Sequence, residues 1–533
     1  MEATSLSSHS RNGFAASLLI TKLSDGSPSR REPSGSFVRP KRPIALFSIV
    51  VWYSVVLACI LLGPGSAKVY GDVGVVLDES LGTSVDRITG TGHSAVYLSR
   101  ICTESPVKLR LCLPGEQGSV LSTYISLGED QAFEWNAVPL SIYLYGVDDS
   151  RDRPLFGSLK IKRVLEDRYR SKYLAELCTT ASCQTSNSAE WREMVAASLS
   201  RGVYMFVAET TEEQDLRFIE EFNSRPNVNH FNGVRRNCAD FTRYAINLYF
   251  PHAASPDYIN DFGMTSPKAI ARSFSRYALR HPELHFRVLH FPQVPGTMKR
   301  SSEPRKGTEQ LYHSKLLLPM VLFAEHILPV MAASYMLTGR FNPEREAQEY
   351  PTPQITETRY QLRLARADDD REKALQLESL EREQLDEVDG TRKEWKQYWH
   401  TFQLNLSNPS AREMLPRAAA LRGVFKQLDK AGTPVVDQNG ALWMEVPPAN
   451  GTSRLGLSAS NVLASGSDVH LANEMLEARV NELLTSPKHS RQTMLQFKED
   501  WVLLQGSLAK NTASPSEGLA TSASAKSHSA GGN

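Results

Sequence analysis

The stretch GVRRNCADFTRYAINLYFP, residues 233–251, sets a cysteine behind an asparagine and two arginines at the head of a helix-periodic segment. A helix starting there puts Cys238, Phe241, Ala245, Leu248 and Tyr249 on one stripe, and Pro251 stops it. The thiol thus heads the buried face. Unsatisfied N–H groups and the positive end of the helix dipole favour a thiolate in that position, and Arg235 and Arg236 add to the field. The thiolate is the nucleophilic form of cysteine, so Cys238 is the candidate nucleophile.

A nucleophile of this kind needs a base, and TGTGHSAVYLS (89–99) offers one. His93 opens a strand after a glycine-rich turn, with His93, Ala95 and Tyr97 on one face. In a hairpin drawn from Ser94 to Leu113 and centred near Glu104, His93 lies opposite about Gly115. That register makes the adjacent Glu116 the candidate carboxylate that orients the imidazole. Taken singly, a cysteine is a small core hydrophobe and a histidine is structural. A Gly-His opening a strand and an Asn-Cys opening a helix in one mixed region carry more weight together.

The surrounding chain is long enough for two or three units: 533 residues, 41% of them hydrophobic. Sixty basic residues against 59 acidic ones leave a formal charge of +1, which gives no field for a nucleic-acid partner. No P-loop or G-x-G-x-x-G motif occurs, and Cys178 and Cys183 lack a second pair to complete a zinc site. Neither cofactor nor metal is expected. Cys102 and Cys112 flank a hairpin signal, and Cys178 and Cys183 bracket TTAS, so two local disulfides can be drawn; five ordinary thiols are the alternative.

Organisation follows from composition shifts. Residues 1–43 are basic, rich in Ser, Arg and Pro, and read as disordered. Residues 44–63 carry the uncharged run IALFSIVVWYSVVLACILL, a transmembrane anchor or a signal peptide. Residues 68–297 mix strand and helix patterns, including a strand over 139–147, and 298–315 form a basic linker. Residues 316–338 contain a second apolar run and read as a second transmembrane or membrane-associated helix. Residues 341–511 are mostly helical, with a hairpin at Asn439-Gly440, and 512–533 are a disordered tail. The expected location is a membrane with the mixed domain extracytoplasmic, on the periplasmic side of a bacterial inner membrane.

GHSAVYLS followed much later by NCADFTRYAINLYF resembles the circularly permuted branch of the NlpC-like papain-fold superfamily. That branch includes relatives of lecithin retinol acyltransferase and uncharacterised bacterial membrane families. The resemblance covers roughly residues 70–250. It implies an α+β, permuted papain-like domain with inserted helices, here flanked by two hydrophobic helices and the helical C-terminal region. It also implies Cys238 as nucleophile, His93 as base and a polar residue on the strand after His93 as orienter. Two features depart from the pattern: no second histidine follows on the next strand, and about 145 residues separate His93 from Cys238. The implied chemistry is thioester-mediated hydrolysis or acyl transfer on an amide or ester, with a cell-wall peptide or a lipid acyl group as substrate. The rival expectation is an inactive, membrane-tethered scaffold that binds a protein partner through its C-terminal helices.

Overall fold

The computed structural model describes residues 69–81, 91–123, 133–177, 190–228, 232, 235–312, 327–347, 353–387, 414–447, 453–485 and 491–513. These belong to the unit beginning at Ala67. The N-terminal tail, the apolar run at 44–63, Cys178, Cys183 and the end of the C-terminal tail lie outside the described residues.

Eight strands fill the first part: β1 (Val69–Asp78), β2 (His93–Leu98), β3 (Ile101–Ser105), β4 (Lys108–Leu111), β5 (Ser119–Ser122), β6 (Asn136–Pro139), β7 (Val203–Thr211) and β8 (Arg287–Phe291). Six of them form one antiparallel sheet in the order β6-β5-β2-β1-β7-β8, while β3 and β4 make a separate hairpin. Central β1 is buried on both sides, with Val73, Val75 and Leu77 in one apolar cluster and Val76 in the other. Its sequence is accordingly apolar almost throughout instead of alternating.

Helices cover both faces. In chain order the main ones are α1 (Leu140–Tyr145), α2 (Leu159–Tyr173), α3 (Glu212–Ser224), α4 (Cys238–Tyr249), α5 (Pro267–Ala278), α6 (Pro353–Ala367), α7 (Met414–Ala431), α8 (Val469–Thr485) and α9 (Arg491–Ala513). Helices α3, α4 and α5 pack on the face bearing Val96, Leu121 and Phe206. An aromatic run holds that face together, from Phe222 through Phe218, Tyr249 and Phe250 to Phe274, with ring centroids 4.3–6.2 Å apart. The opposite face, with Ala95, Tyr97, Val120 and Met205, is covered by α1, α2 and the C-terminal elements. These include a small sheet of β9 (Thr433–Val436), β10 (Leu442–Val446) and β11 (Ser453–Gly456), whose first turn carries Asn439-Gly440 as expected. Phe156 stacks on Phe425 at 5.4 Å, and Leu155 N–H donates to Leu457 O at 2.6 Å. The C-terminal region is thus part of the main core.

Several expectations are corrected. The strand expected over 139–147 is helix α1, capped by Gly146 at φ 73°. All six of its residues are buried, so no amphipathic period marks it as helical. A Cβ at Gly146 would meet the Leu165 Cβ at 2.8 Å, so glycine serves both the turn and the packing of α2. The hairpin drawn from Ser94 to Leu113 is broken at Ser99 and Arg100, where the Ser99 N–H and hydroxyl bond to the Asp72 backbone. Lys306, in the expected linker, is fully buried against Asp257 at 2.7 Å.

The membrane expectation is also overturned. Among the described residues no helix is long and apolar enough to cross a membrane. The second apolar run is described from Ile327; helix continues to Ser334 and a π-helix follows to Gly339. Polar contacts tie this segment to protein: Asn260 donates to Ser334 at 3.3 Å, and Tyr335 donates to Glu309 at 2.7 Å. Flanking transmembrane helices, and the membrane and extracytoplasmic location built on them, are therefore not supported.

Candidate functional site

The head of α4 is built by local capping. Asn237 Oδ1 accepts from the Ala239 and Asp240 N–H groups at 2.9 and 3.0 Å, and Asp240 reaches back to the Asn237 N–H. Asn237 Nδ2 also donates to Thr265 O at 3.0 Å, and Thr265 donates to Asp240 at 2.7 Å. Cys238 is thereby fixed as the first helical residue, half-buried, and is the free cysteine among the described residues.

Its sulfur is set against the start of β2. Burial raises the thiol pKa; hydrogen bonds from the Ser94 backbone and hydroxyl and from the Ala239 backbone oppose that shift, and Asp78 reinforces it. The net result is a protonated resting thiol. Sequence reasoning expected a helix-end thiolate assisted by Arg235 and Arg236, but both arginines are exposed and burial decides the sign. Thr242, one turn along α4, donates to Ser94 Oγ at 3.2 Å and so ties the head of the helix to the start of β2.

His93 is half-buried at the first position of β2, and its Nε2 lies 2.7 Å from Ser122 Oγ on the neighbouring β5. Burial, and then the Arg201 charge, lower its pKa to about 3, so the imidazole is neutral near pH 7. Alternation along β2 gives His93 the face of Ala95 and Tyr97, as expected, while Ser94 takes the α4 face with Val96 and Leu98. Cys238 and His93 thus approach the same strand start from opposite sides of the sheet.

Glu116 has other partners. Its carboxylate accepts two bonds from Arg110, both at 2.6 Å, and one from the Leu113 N–H. The Arg110 bond, followed by weaker local contacts, holds its pKa below the usual range. Within the sheet β2 pairs with β5 as Val96–Leu121, Tyr97–Val120 and Leu98–Ser119, so the position across from His93 falls just past Ser122 and not near Gly115. Ser122 is a polar group that the structure brings to the imidazole. Cys102 and Cys112 form a disulfide beside Glu116, and with both sulfurs bonded to each other the trio is not a metal centre.

Three further residues complete the region. Asp78 ends β1 as the direct cross-strand partner of His93, is fully buried, and accepts from Tyr143 at 3.0 and 2.8 Å. Arg201 lies 3.8 Å from the same carboxylate. One signal for Asp78 was legible: an acid closing the apolar run VGVVL. Tyr143 was hidden by the misassigned strand, and Ser122 by the wrong register. No protein-family model matches the chain, and neither a curated protein nor a solved structure matches it.

Proposed function

We propose that the chain is a thiol hydrolase or acyltransferase of permuted papain-like fold, acting on an amide or ester carbonyl through Cys238 and His93. One observation carries this reading: the head of α4, which Cys238 opens, is joined to the start of β2 by the Thr242 hydroxyl donating to Ser94 Oγ at 3.2 Å, and Ser94 is covalently next to His93. For this chemistry the Cys238 sulfur and the His93 ring must meet around the end of β2; neutral His93, held at Nε2 by Ser122, then takes the thiol proton on Nδ1, and the sulfur attacks the carbonyl carbon. The oxyanion is held by the Cys238 N–H, since the Ala239 and Asp240 N–H groups donate to the Asn237 cap. Collapse to the thioester passes the imidazolium proton to the leaving amine or alcohol, and water or a second acceptor then releases the acyl group.

The test is acetylation of the full-length chain by p-nitrophenyl acetate, located by peptide mass spectrometry. Cys238 is expected to carry the adduct, with none at that position in Cys238→Ala and a rate lowered on the order of 10²-fold in His93→Ala. Equal ester turnover by wild type and Cys238→Ala would refute the reading. A second reading, a domain of this type that binds without catalysis, draws on the opposite faces taken by His93 and Ser94 along β2. It expects no acetyl adduct in the unaltered chain.

A further inference from the structure

We propose that Asp78 is a positioning residue for this site, its buried carboxylate balancing the imidazolium that forms when His93 takes the Cys238 proton. This rests on the acyl-transfer reading. Asp78 and His93 are directly opposed in the β1–β2 ladder, and their side chains share the face of Val76 and Ala95. Directly opposed residues in an antiparallel pair hold their Cβ atoms about 4.5–5.5 Å apart. Tyr143, itself fully buried, donates to both Asp78 oxygens and fixes the carboxylate's orientation.

The groups that face Asp78 come from every neighbouring element. Tyr143 comes from α1, Arg201 from the approach to β7, Glu193 from the turn at 190–194, Glu79 from the next chain position, His93 from β2 and Cys238 from α4. Burial, opposed by Arg201 and Tyr143, raises the Asp78 pKa to about 6, so the carboxylate is mostly ionised at neutral pH. Its charge has two opposite effects on one proton transfer. It disfavours the free Cys238 thiolate, and it favours protonated His93. The site therefore rests as thiol and imidazole. Charge separates only as the thiol proton passes to the imidazole and sulfur's electron pair moves toward the carbonyl, where the negative charge settles on the oxyanion.

The experiment compares full-length wild type with Asp78→Asn and Tyr143→Phe in two assays. Alkylation of Cys238 by iodoacetamide is followed against pH, and so is acetylation by p-nitrophenyl acetate. In Asp78→Asn the alkylation midpoint is expected at lower pH than in wild type, because a charge opposing the thiolate is gone. Acetylation is expected to fall on the order of 10²-fold and to lose its acid limb near pH 6. Tyr143→Phe keeps the charge but loses a bond that lowers the Asp78 pKa, so its acid limb should move to higher pH. A structural defect that merely opens the site also lowers the alkylation midpoint, because burial is what raises it, but it leaves the acid limb of acetylation near pH 6 in place. Wild-type acetylation with an unmoved alkylation midpoint in Asp78→Asn overturns the role of Asp78 alone. No acetylation of wild-type Cys238 overturns the acyl-transfer reading and this proposal with it.

Discussion

The two faces of the central sheet are assembled in different ways. One is covered by α3, α4 and α5, all drawn from residues 212–278, and its core is a run of aromatic contacts between near neighbours in the chain. The other is covered by α1 and α2 together with segments from beyond residue 414, joined across some three hundred positions. The candidate site sits where the faces meet, with Cys238 contributed by the local face and His93, Asp78 and Tyr143 by the composite one. Local packing can form early and cheaply, whereas the composite face gains its contacts only after a long loop is closed.

The largest expected effect tests that dependence. A chain ended at residue 413 loses Phe425, Leu428, Met444, Leu455 and Leu476 from the composite core. It is expected to show no cooperative thermal transition by calorimetry, and a transition equal to wild type would show that the local face suffices. Next comes Arg479, which is buried, pairs with Asp500 at 2.9 Å and donates to Leu155 O. Arg479→Ala leaves a buried carboxylate uncompensated and should cost about 3–5 kcal/mol in urea unfolding.

A titration probes the local face. Asp215 accepts from Tyr249 at 2.9 Å, and burial, opposed by that bond, raises its pKa to about 7. A raised carboxyl binds its proton more tightly in the folded state. Its contribution is full below the unfolded value near 4 and is lost as pH rises through about 7. Tm should therefore fall less between about pH 5 and pH 7.5 in Asp215→Asn than in wild type; an identical fall would place the slope elsewhere. The smallest effect is local. Asn237→Ala removes the α4 cap and should cost about 1 kcal/mol, while shifting the Cys238 alkylation profile by loosening the first turn.

Much of the local face was legible. The NCADFTRYAINLYF pattern carries its own cap, apolar stripe and stop, and α4 runs from Cys238 to Tyr249 as that pattern requires. TTEEQ likewise announces the capping box of Thr211 and Gln214 at the head of α3. His93 opening a strand and the turn at Asn439-Gly440 were readable for the same reason, since glycine and strand alternation act over a few residues. The composite face resisted reading. Helix α1 is buried on every side and so has no period, and the helical segment Ile327–Ser334 shares its apolar composition with a membrane span.

The sequence by itself determined that a cysteine heads one helix and a histidine heads one strand, because capping and side-chain alternation are set by residues a few positions apart. Only the tertiary structure decided their neighbours. Strand register replaced Glu116 with Ser122 at the imidazole, set Asp78 across from it, and turned Ser94 to the α4 face. Register and burial depend on segments far apart in the chain. A shift of one residue exchanges the two faces of a strand, and the sign of a pKa shift follows whichever face closes over the group.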